Sequence, residues 1–509
     1  MGKAAKGYLL FFLLVFCLVL SAAQTQCSLQ QLVSGSPRFF SMLWEMFPPD
    51  RPFFLVAAMP LWETVRISFL GTFFGAVLGA VGTFLCNSFV NREVCVRVFL
   101  KGLNHLFRCI PVLVLALLCT FFFGLGSLAG IIAISLSTGA VLTRLGYEDS
   151  ENADARPACA LEAMGPGRLK AFAASIWKQV LPGYLNNVLY LLESNVRNAS
   201  VLGFVGAGGI GLLLNEQMAW REYGRAGTIL CLLFLLVLLT ESVGESVRYR
   251  LVHASKGAQK RIAFFFFPLL LLLFCSVDRV APAEMNFGAA SAVFRGFVSP
   301  DTGMFFSLRP EDIPCLLWET FNIAFLGTVT ATIAALFFSF FSSFRFFGKP
   351  ALFLRAVLLG IRSVPVLIWG LVWIRVTGPG AFAGVLTLTL CSIGFLAKRF
   401  LIAIESIDLG PYRALRAAGV TFLPALRWGV FPQLKPHYVT AILYRMDINL
   451  REAAALGLVG AGGIGTPLFL AMNHYEWEQA GALLWGLILL VTVVGFVSEK
   501  YREGYRLKS

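Results

Sequence analysis

The sequence predicts an all-α membrane protein made of two parallel six-helix repeats, about 12 transmembrane helices in all. Three observations carry this. Hydrophobic residues make up 58% of the 509-residue chain and charged residues 14%, a balance no ordinary soluble domain shows. The stretch Asn195-Val-Arg-Asn-Ala-Ser-Val-Leu-Gly-Phe-Val-Gly-Ala-Gly-Gly-Ile-Gly211 returns as Asn449-Leu-Arg-Glu-Ala-Ala-Ala-Leu-Gly-Leu-Val-Gly-Ala-Gly-Gly-Ile-Gly465, a shift of 254 residues, half the chain. The same shift carries Arg108-Cys-Ile-Pro-Val-Leu onto Arg362-Ser-Val-Pro-Val-Leu, and a shift of 256 carries Trp62-Glu-Thr onto Trp318-Glu-Thr.

The apolar runs give the elements in order. Crossings are expected near residues 15, 74, 110, 136, 193 and 236, then near 269, 330, 364, 391, 447 and 490. A bilayer core of ~30 Å needs about 20 apolar helical residues per crossing. Only helices fit, because lipid offers no partner to a free backbone amide. Lys3 and Lys6 followed by Tyr8–Leu20 and Ser21-Ala-Ala imitate a secretory signal. That run aligns with Arg261–Val277 in mid-chain, so an uncleaved first helix is the expectation. The domains expected are residues 1–250 (first repeat), 251–261 (basic cytoplasmic linker) and 262–509 (second repeat).

Basic residues in short loops set orientation. Arg248, Arg250, Lys256, Lys260 and Arg261 cluster between the halves, and Lys500, Arg502, Arg506 and Lys508 close the chain. Six crossings per half put these on the cytoplasmic side with both termini. The net charge of +14 is then mostly topological. Nucleic-acid binding is not expected, since the basic residues are dispersed among crossings. The 11 cysteines form no C-x-x-C and the four histidines show no ligand spacing, so neither a disulfide frame, a metal site nor a cofactor is expected.

Gly206, Gly208, Gly209 and Gly211 return as Gly460, Gly462, Gly463 and Gly465. Both sets satisfy G-x-G-x-x-G literally, but that fingerprint needs a preceding strand, and an intramembrane helix precedes each set. The glycines instead break a helix and bend the backbone sharply. Two readings stand: close helix packing, or a turn whose amides cradle an anion along a translocation path.

Charges inside the apolar spans repeat too. Glu193 and Arg197 sit four apart, as do Asp447 and Arg451, with Asn195 and Asn449 between them. Such a pair neutralises itself on one helix face, either lining a path or holding two helices together. Arg108 and Arg362 each precede a proline by three residues. On a straight helix from Val94, Arg108 lies about 21 Å along, with Lys101, Asn104 and His105 on the same stripe. In a pore such arginines favour an oxyanion, because the guanidinium fork matches phosphate. A structural cap on the proline-freed carbonyl is the alternative.

The long loop after the fourth crossing reads Cys159-Ala-Leu-Glu-Ala-Met-Gly165 then Lys178-Gln-Val-Leu-Pro182. In the second half it reads Arg413-Ala-Leu-Arg-Ala-Ala-Gly419 then Pro432-Gln-Leu-Lys-Pro436. A short helix ended by glycine, then an apolar segment ended by proline, forms a helix–turn–helix on the membrane face, suited to docking a partner.

These elements together resemble the permease subunit of ATP-binding-cassette importers of the phosphonate type. That family is similar in its E-A-[AL]-x-x-x-G loop with a P-Q-x-x-P-like segment, and in N-x-R-x-A-x-x-L-G-x-V-G-A-G-G-I-G. The resemblance covers roughly residues 60–250 and 315–505, and the chain looks like the family's usual dimer fused head to tail. It implies a type I, methionine-importer-like permease fold in the bacterial inner membrane and transport of a small oxyanion such as phosphonate, phosphite or a phosphate ester. It also implies an extracytoplasmic solute-binding protein and two copies of an ATPase subunit gripping Ala160, Leu161, Gly165, Pro182, Ala414, Leu415, Gly419 and Pro436. The leading glutamate of the loop motif is absent in both copies, replaced by Cys159 and Arg413. No G-x-x-x-x-G-K-[S/T] occurs, so ATP hydrolysis falls to another subunit and the chain itself is not expected to be an enzyme. Permeases for an amino acid or a vitamin share this scaffold. A secondary transporter is the rival mechanism, although such proteins often use inverted repeats, and these repeats are parallel.

Overall fold

The computed structural model describes residues 12, 16–253, 287–307 and 309–506. The expected crossing centres 15 and 269 lie outside the described residues. Within them three pairs of elements repeat residue for residue. Val112–Phe123 corresponds to Val366–Thr377, Arg156–Ala163 to Gly410–Ala417, and Gly211–Ala219 to Gly465–Asn473, all at the shift of 254.

Among the described residues, six helices are long and apolar enough to cross a membrane alone: Phe53–Cys86, Ser127–Glu151, Tyr223–Val247, Ile313–Phe341, Ala381–Ser406 and Trp477–Arg502. They carry the expected centres at 74, 136, 236, 330, 391 and 490. The centres at 110 and 364 fall on breaks. Val94–Cys109 meets Val112–Phe123 at 97°, and Ala351–Ser363 meets Val366–Thr377 at 89°. The cause is local: Ile110 and Val364 precede prolines and take extended backbone, with ψ 126° and 125°. The centre at 193 lies in a third bent pair, Ile176–Val205 with Ile210–Ala219 at 58°. The centre at 447 lies in the helix Phe431–Leu456.

Phe53–Cys86 packs along Ser127–Glu151 through a glycine stripe. A Cβ on Gly71, Gly75 or Gly79 would stand 2.6–2.7 Å from the Cβ of Ile134, Thr138 or Leu142. Small residues at every fourth position let backbones approach closely where lipid supplies no hydrophobic drive. The second repeat solves the same contact with Gly327, Ala331 and Ala335, the two alanines fully buried. Outward faces carry exposed Val77, Leu78 and Val81, or Ile333 and Phe337, as a lipid-facing surface requires.

Packing divides the chain into two units, one of Met42–Ala292 and one joining Met1–Ser41 to Val293–Ser509. A cut at the linker 251–261 follows the repeat, whereas the contacts assign the opening segment to the second half. Ser21 donates to Asn322 Oδ1 at 2.8 Å, and Asn322 donates to Gln24 Oε1 at 2.5 Å. Phe39 stacks on Trp373 with ring centroids 4.8 Å apart.

Candidate functional site

The two loops around Gly165 and Gly419 are built alike. Arg156–Ala163 and Gly410–Ala417 are single helices of two turns, each ended by a glycine with positive φ, +103° at Gly165 and +82° at Gly419. A left-handed residue closes a helix and favours glycine. Neither glycine has another atom within 4 Å of where a Cβ would lie, so both turns stand open. Ala160, Gly165, Ala414 and Gly419 are exposed, and Leu161 and Leu415 half-buried. Cys159 and Arg413, in place of the motif's glutamate, are also exposed. In the first loop Glu162 pairs with Arg168 at 2.8 Å, while in the second Arg416 donates to the Val420 carbonyl at 3.0 Å. The proline expectation needs correcting. Pro182 and Pro436 do not end a segment but lie inside the helices Ile176–Leu202 and Phe431–Leu456. The break comes earlier, at Ser175, where the backbone leaves helical geometry, and at Val430, which separates Phe422–Gly429 from Phe431–Leu456.

A glutamine ties each loop to the helix that follows. Gln179 Nε2 donates to the Asp154 carbonyl at 3.0 Å, and the Asp154 amide donates to Gln179 Oε1 at 3.3 Å. Gln433 repeats both bonds on Asp408 at 2.9 and 3.2 Å. The aspartate carboxylates accept the amides of Arg156 and Gly410, so each loop helix starts from a fixed turn. The Arg156 side chain also hydrogen-bonds Asp154 and holds its carboxyl below the usual carboxylate range. Beside Gln179 opens a cavity of about 340 Å³ lined also by Asp149, Asn152 and Gly183.

The glycine turns fold into tight knots. Gly206, Gly208 and Gly209 have φ of +76° to +87°, and Gly460, Gly462 and Gly463 of +75° to +88°. Gly126 donates to the Gly206 carbonyl at 2.9 Å and Gly380 to that of Gly460 at 3.0 Å. Gly211 and Gly465 open the short helices beyond, where a Cβ would run into the Ser200 or Ala454 carbonyl. Several of the amides that the sequence offers to an anion are met by the chain's own groups. Ile210 donates to Thr64 Oγ1 at 2.8 Å and Ile464 to Thr320 Oγ1 at 2.9 Å. Gly463 donates to Glu319 Oε1 at 3.1 Å, and Glu63 Oε1 lies 2.7 Å from a Cβ position on Gly208.

Asn195 and Asn449 are buried clamps between three helices. Asn195 Nδ2 reaches Thr72 and Thr138 Oγ1, both at 2.8 Å, and Asn449 Nδ2 reaches Thr328 Oγ1 at 2.8 Å and Ser392 Oγ at 2.9 Å. A buried amide must find such partners. Arg451 pairs with Asp447 at 2.8 Å across one helical turn, and Glu193 and Arg197 hold the same positions, half-buried.

Arg108 contacts His105 Nδ1 at 3.2 Å, and the Arg362 Cβ lies 3.2 Å from a Cβ position on Gly394. Arg108 and Val94 lie on the same leg of this bent pair, with Arg108 one residue before its end and the 97° bend immediately beyond. The polar stripe does face inward: Lys101 pairs with Glu151 at 3.0 Å and Asn104 donates to the Ala140 carbonyl at 3.1 Å, leaving Val98, Phe99 and Leu103 exposed.

Sequence reasoning did not single out Gln179 and Gln433, which tie the loops, or the Glu63-Thr64 and Glu319-Thr320 pairs beside the glycine turns. Both sets sat in repeated motifs, which was their signal. Arg445 and Glu452, an ion pair at 2.7 Å, had no such signal because the first half carries Leu191 and Asn198 there. Among the described residues, no three His, Cys, Asp or Glu side chains gather as a metal site.

The family described as binding-protein-dependent transport system inner membrane component matches residues 71–283 and 325–500. The chain is 30% identical over 480 residues to the phosphate-import permease protein PhnE of Mycolicibacterium smegmatis, covering 92% of this chain and 88% of that one. It is 34% identical over 192 residues to the phosphite transport system permease protein PtxC of Stutzerimonas stutzeri, covering 37% and 70%. Inward-facing MetNI methionine ABC transporter overlaps 40% of this chain and 99% of its own, with a TM-score of 0.36 at 21% identity. Two matched segments within one chain reproduce the internal repeat. The chain therefore belongs to the binding-protein-dependent transport inner-membrane family, as a multi-pass permease subunit of an ATP-binding-cassette importer with that domain present twice.

Proposed function

We propose that this permease imports a small phosphorus oxyanion, such as phosphonate, phosphite or a phosphate ester, delivered by an extracytoplasmic binding protein. The observation that carries the reading is the 92% coverage by a relative named for phosphate import, joined by a second named for phosphite. In this reading residues 1–250 and 262–509 are two permease repeats joined by the linker 251–261, with both termini in the cytoplasm. Two ATPase subunits grip the exposed helices before Gly165 and Gly419, and the chain performs no chemistry itself. Their closure swings each loop, and the glutamine ties at Asp154 and Asp408 pass that motion to the helices bearing Asn195 and Asn449. Arg108 and Arg362, with the Glu193–Arg197 and Asp447–Arg451 positions, supply cationic and polar groups to the path.

The test is ATP-driven uptake in vesicles holding the permease, its ATPase and its binding protein. Labelled methylphosphonate or phosphite should accumulate and be displaced by unlabelled phosphorus oxyanions. Displacement by amino acids alone would overturn the substrate assignment.

A further inference from the structure

Both halves keep the asparagine clamp, but they differ in what surrounds it. Arg445 lies four residues before Asn449 and is 5% exposed. Its Nε donates to Ser392 Oγ at 2.9 Å, the hydroxyl that Asn449 also holds, and its Nη2 donates to Glu452 Oε2 at 2.7 Å. The guanidinium carbon stands 5.3 Å from the centre of the Phe395 ring. Arg445 and Glu452 are seven apart, two helical turns, and so share a face of Phe431–Leu456. The shift of 254 replaces the four residues with Leu191, Asn198, Thr138 and Val141. The first half thus lacks both charges together. That pattern has a physical reason: a buried ion pair replaced whole by neutral groups is often tolerated, whereas removing one partner leaves an uncompensated charge. One chain therefore carries two solutions to the same interface.

We propose that Arg445 is a positioning residue of the second half alone. Paired with Glu452, it fixes Phe431–Leu456 against Ala381–Ser406 and so holds the glycine turn that follows at Gly457–Gly465. The second half is then the stiffer of the two, and the halves contribute unequally to the transport cycle. The transport arm of this inference rests on the importer reading above; the stiffness arm does not.

Hydrogen exchange on the full permease in detergent reads stiffness without any substrate. Amides of 457–465 should exchange at least about threefold more slowly than those of 203–211, and Arg445→Leu should abolish that difference. Equal or faster exchange at 457–465 in the parent chain overturns the proposal. In the reconstituted importer, Arg445→Leu at normal recovery should lower maximal uptake about tenfold with the half-saturating substrate concentration unchanged, and Arg445→Leu/Glu452→Asn should return it to within about threefold of the parent. The proposal fails if the double variant stays as slow as the single, or if the single variant only lowers recovery at an unchanged rate per molecule. It fails too if the half-saturating concentration rises instead, which would mean contact with substrate. Should Arg445→Leu not assemble, the double variant and Glu452→Gln carry the same comparison.

Discussion

Gln433 holds Asp408 by both edges of its side-chain amide, donating to its carbonyl and accepting from its N–H, across 25 residues of chain. The short helix Gly410–Ala417 starts two residues after Asp408 and the long helix Phe431–Leu456 contains Gln433. A push on one is therefore a push on the other.

Gln433→Glu keeps an acceptor but sets a carboxylate against the Asp408 carbonyl. Loss of the donated bond at this exposed tie should weaken it by about 0.5–1.5 kcal/mol. Coupling should fall: ATP hydrolysis per substrate imported rises severalfold while the amount of assembled complex stays near normal. Gln179→Glu should act the same way on the first loop. Unchanged stoichiometry in both variants would remove the glutamines from force transmission.

Gly463→Ala and Gly419→Asp separate the two glycine roles. At Gly463 a Cβ meets Thr320 Oγ1 at 2.8 Å with φ at +75°, so the variant should lose about 1–3 kcal/mol and fail to accumulate in membranes. Gly419 faces open space, and Gly419→Asp should fold but lose ATPase association or coupled transport. Co-purification with the ATPase reads both, and full coupling in Gly419→Asp would count against docking at this loop.

Arg362→Gln should lower uptake about tenfold while leaving assembly with the ATPase intact, since the change removes a cation and spares the helix. Normal uptake by that variant takes Arg362 off the path.

Gly35→Cys with Val376→Cys should form an intramolecular cross-link on mild oxidation. A Cβ at Gly35 would lie 2.7 Å from Val376 Cγ1, within the reach of a disulfide. Cleaving the chain in the linker should then leave both fragments joined under non-reducing electrophoresis. Two separate fragments would refute the packing of residues 16–41 with the second half.

Much of this molecule was legible in its sequence because lipid imposes few solutions. The glycine turns, the Asp447–Arg451 pair and the short loop helices stand where the repeat puts them, each fixed by local rules of φ or helical spacing. The right-angle bends at Ile110 and Val364 were marked by prolines, yet a hydropathy count reads through them. The capping of the knots by Thr64 and Thr320 was hidden because partners more than 140 residues apart leave no periodic trace. Arg445 was hidden for the opposite reason: a search for equivalence cannot see what only one copy owns.

The opening segment that packs with the second half also constrains synthesis. Ser21 and Gln24 are synthesised some 300 residues before their partner Asn322 leaves the ribosome. Until then that helix waits with its polar face uncovered, a state the insertion machinery must shelter. Truncated products should be recognised and degraded for the same exposed face, so the cell would accumulate whole chains or none.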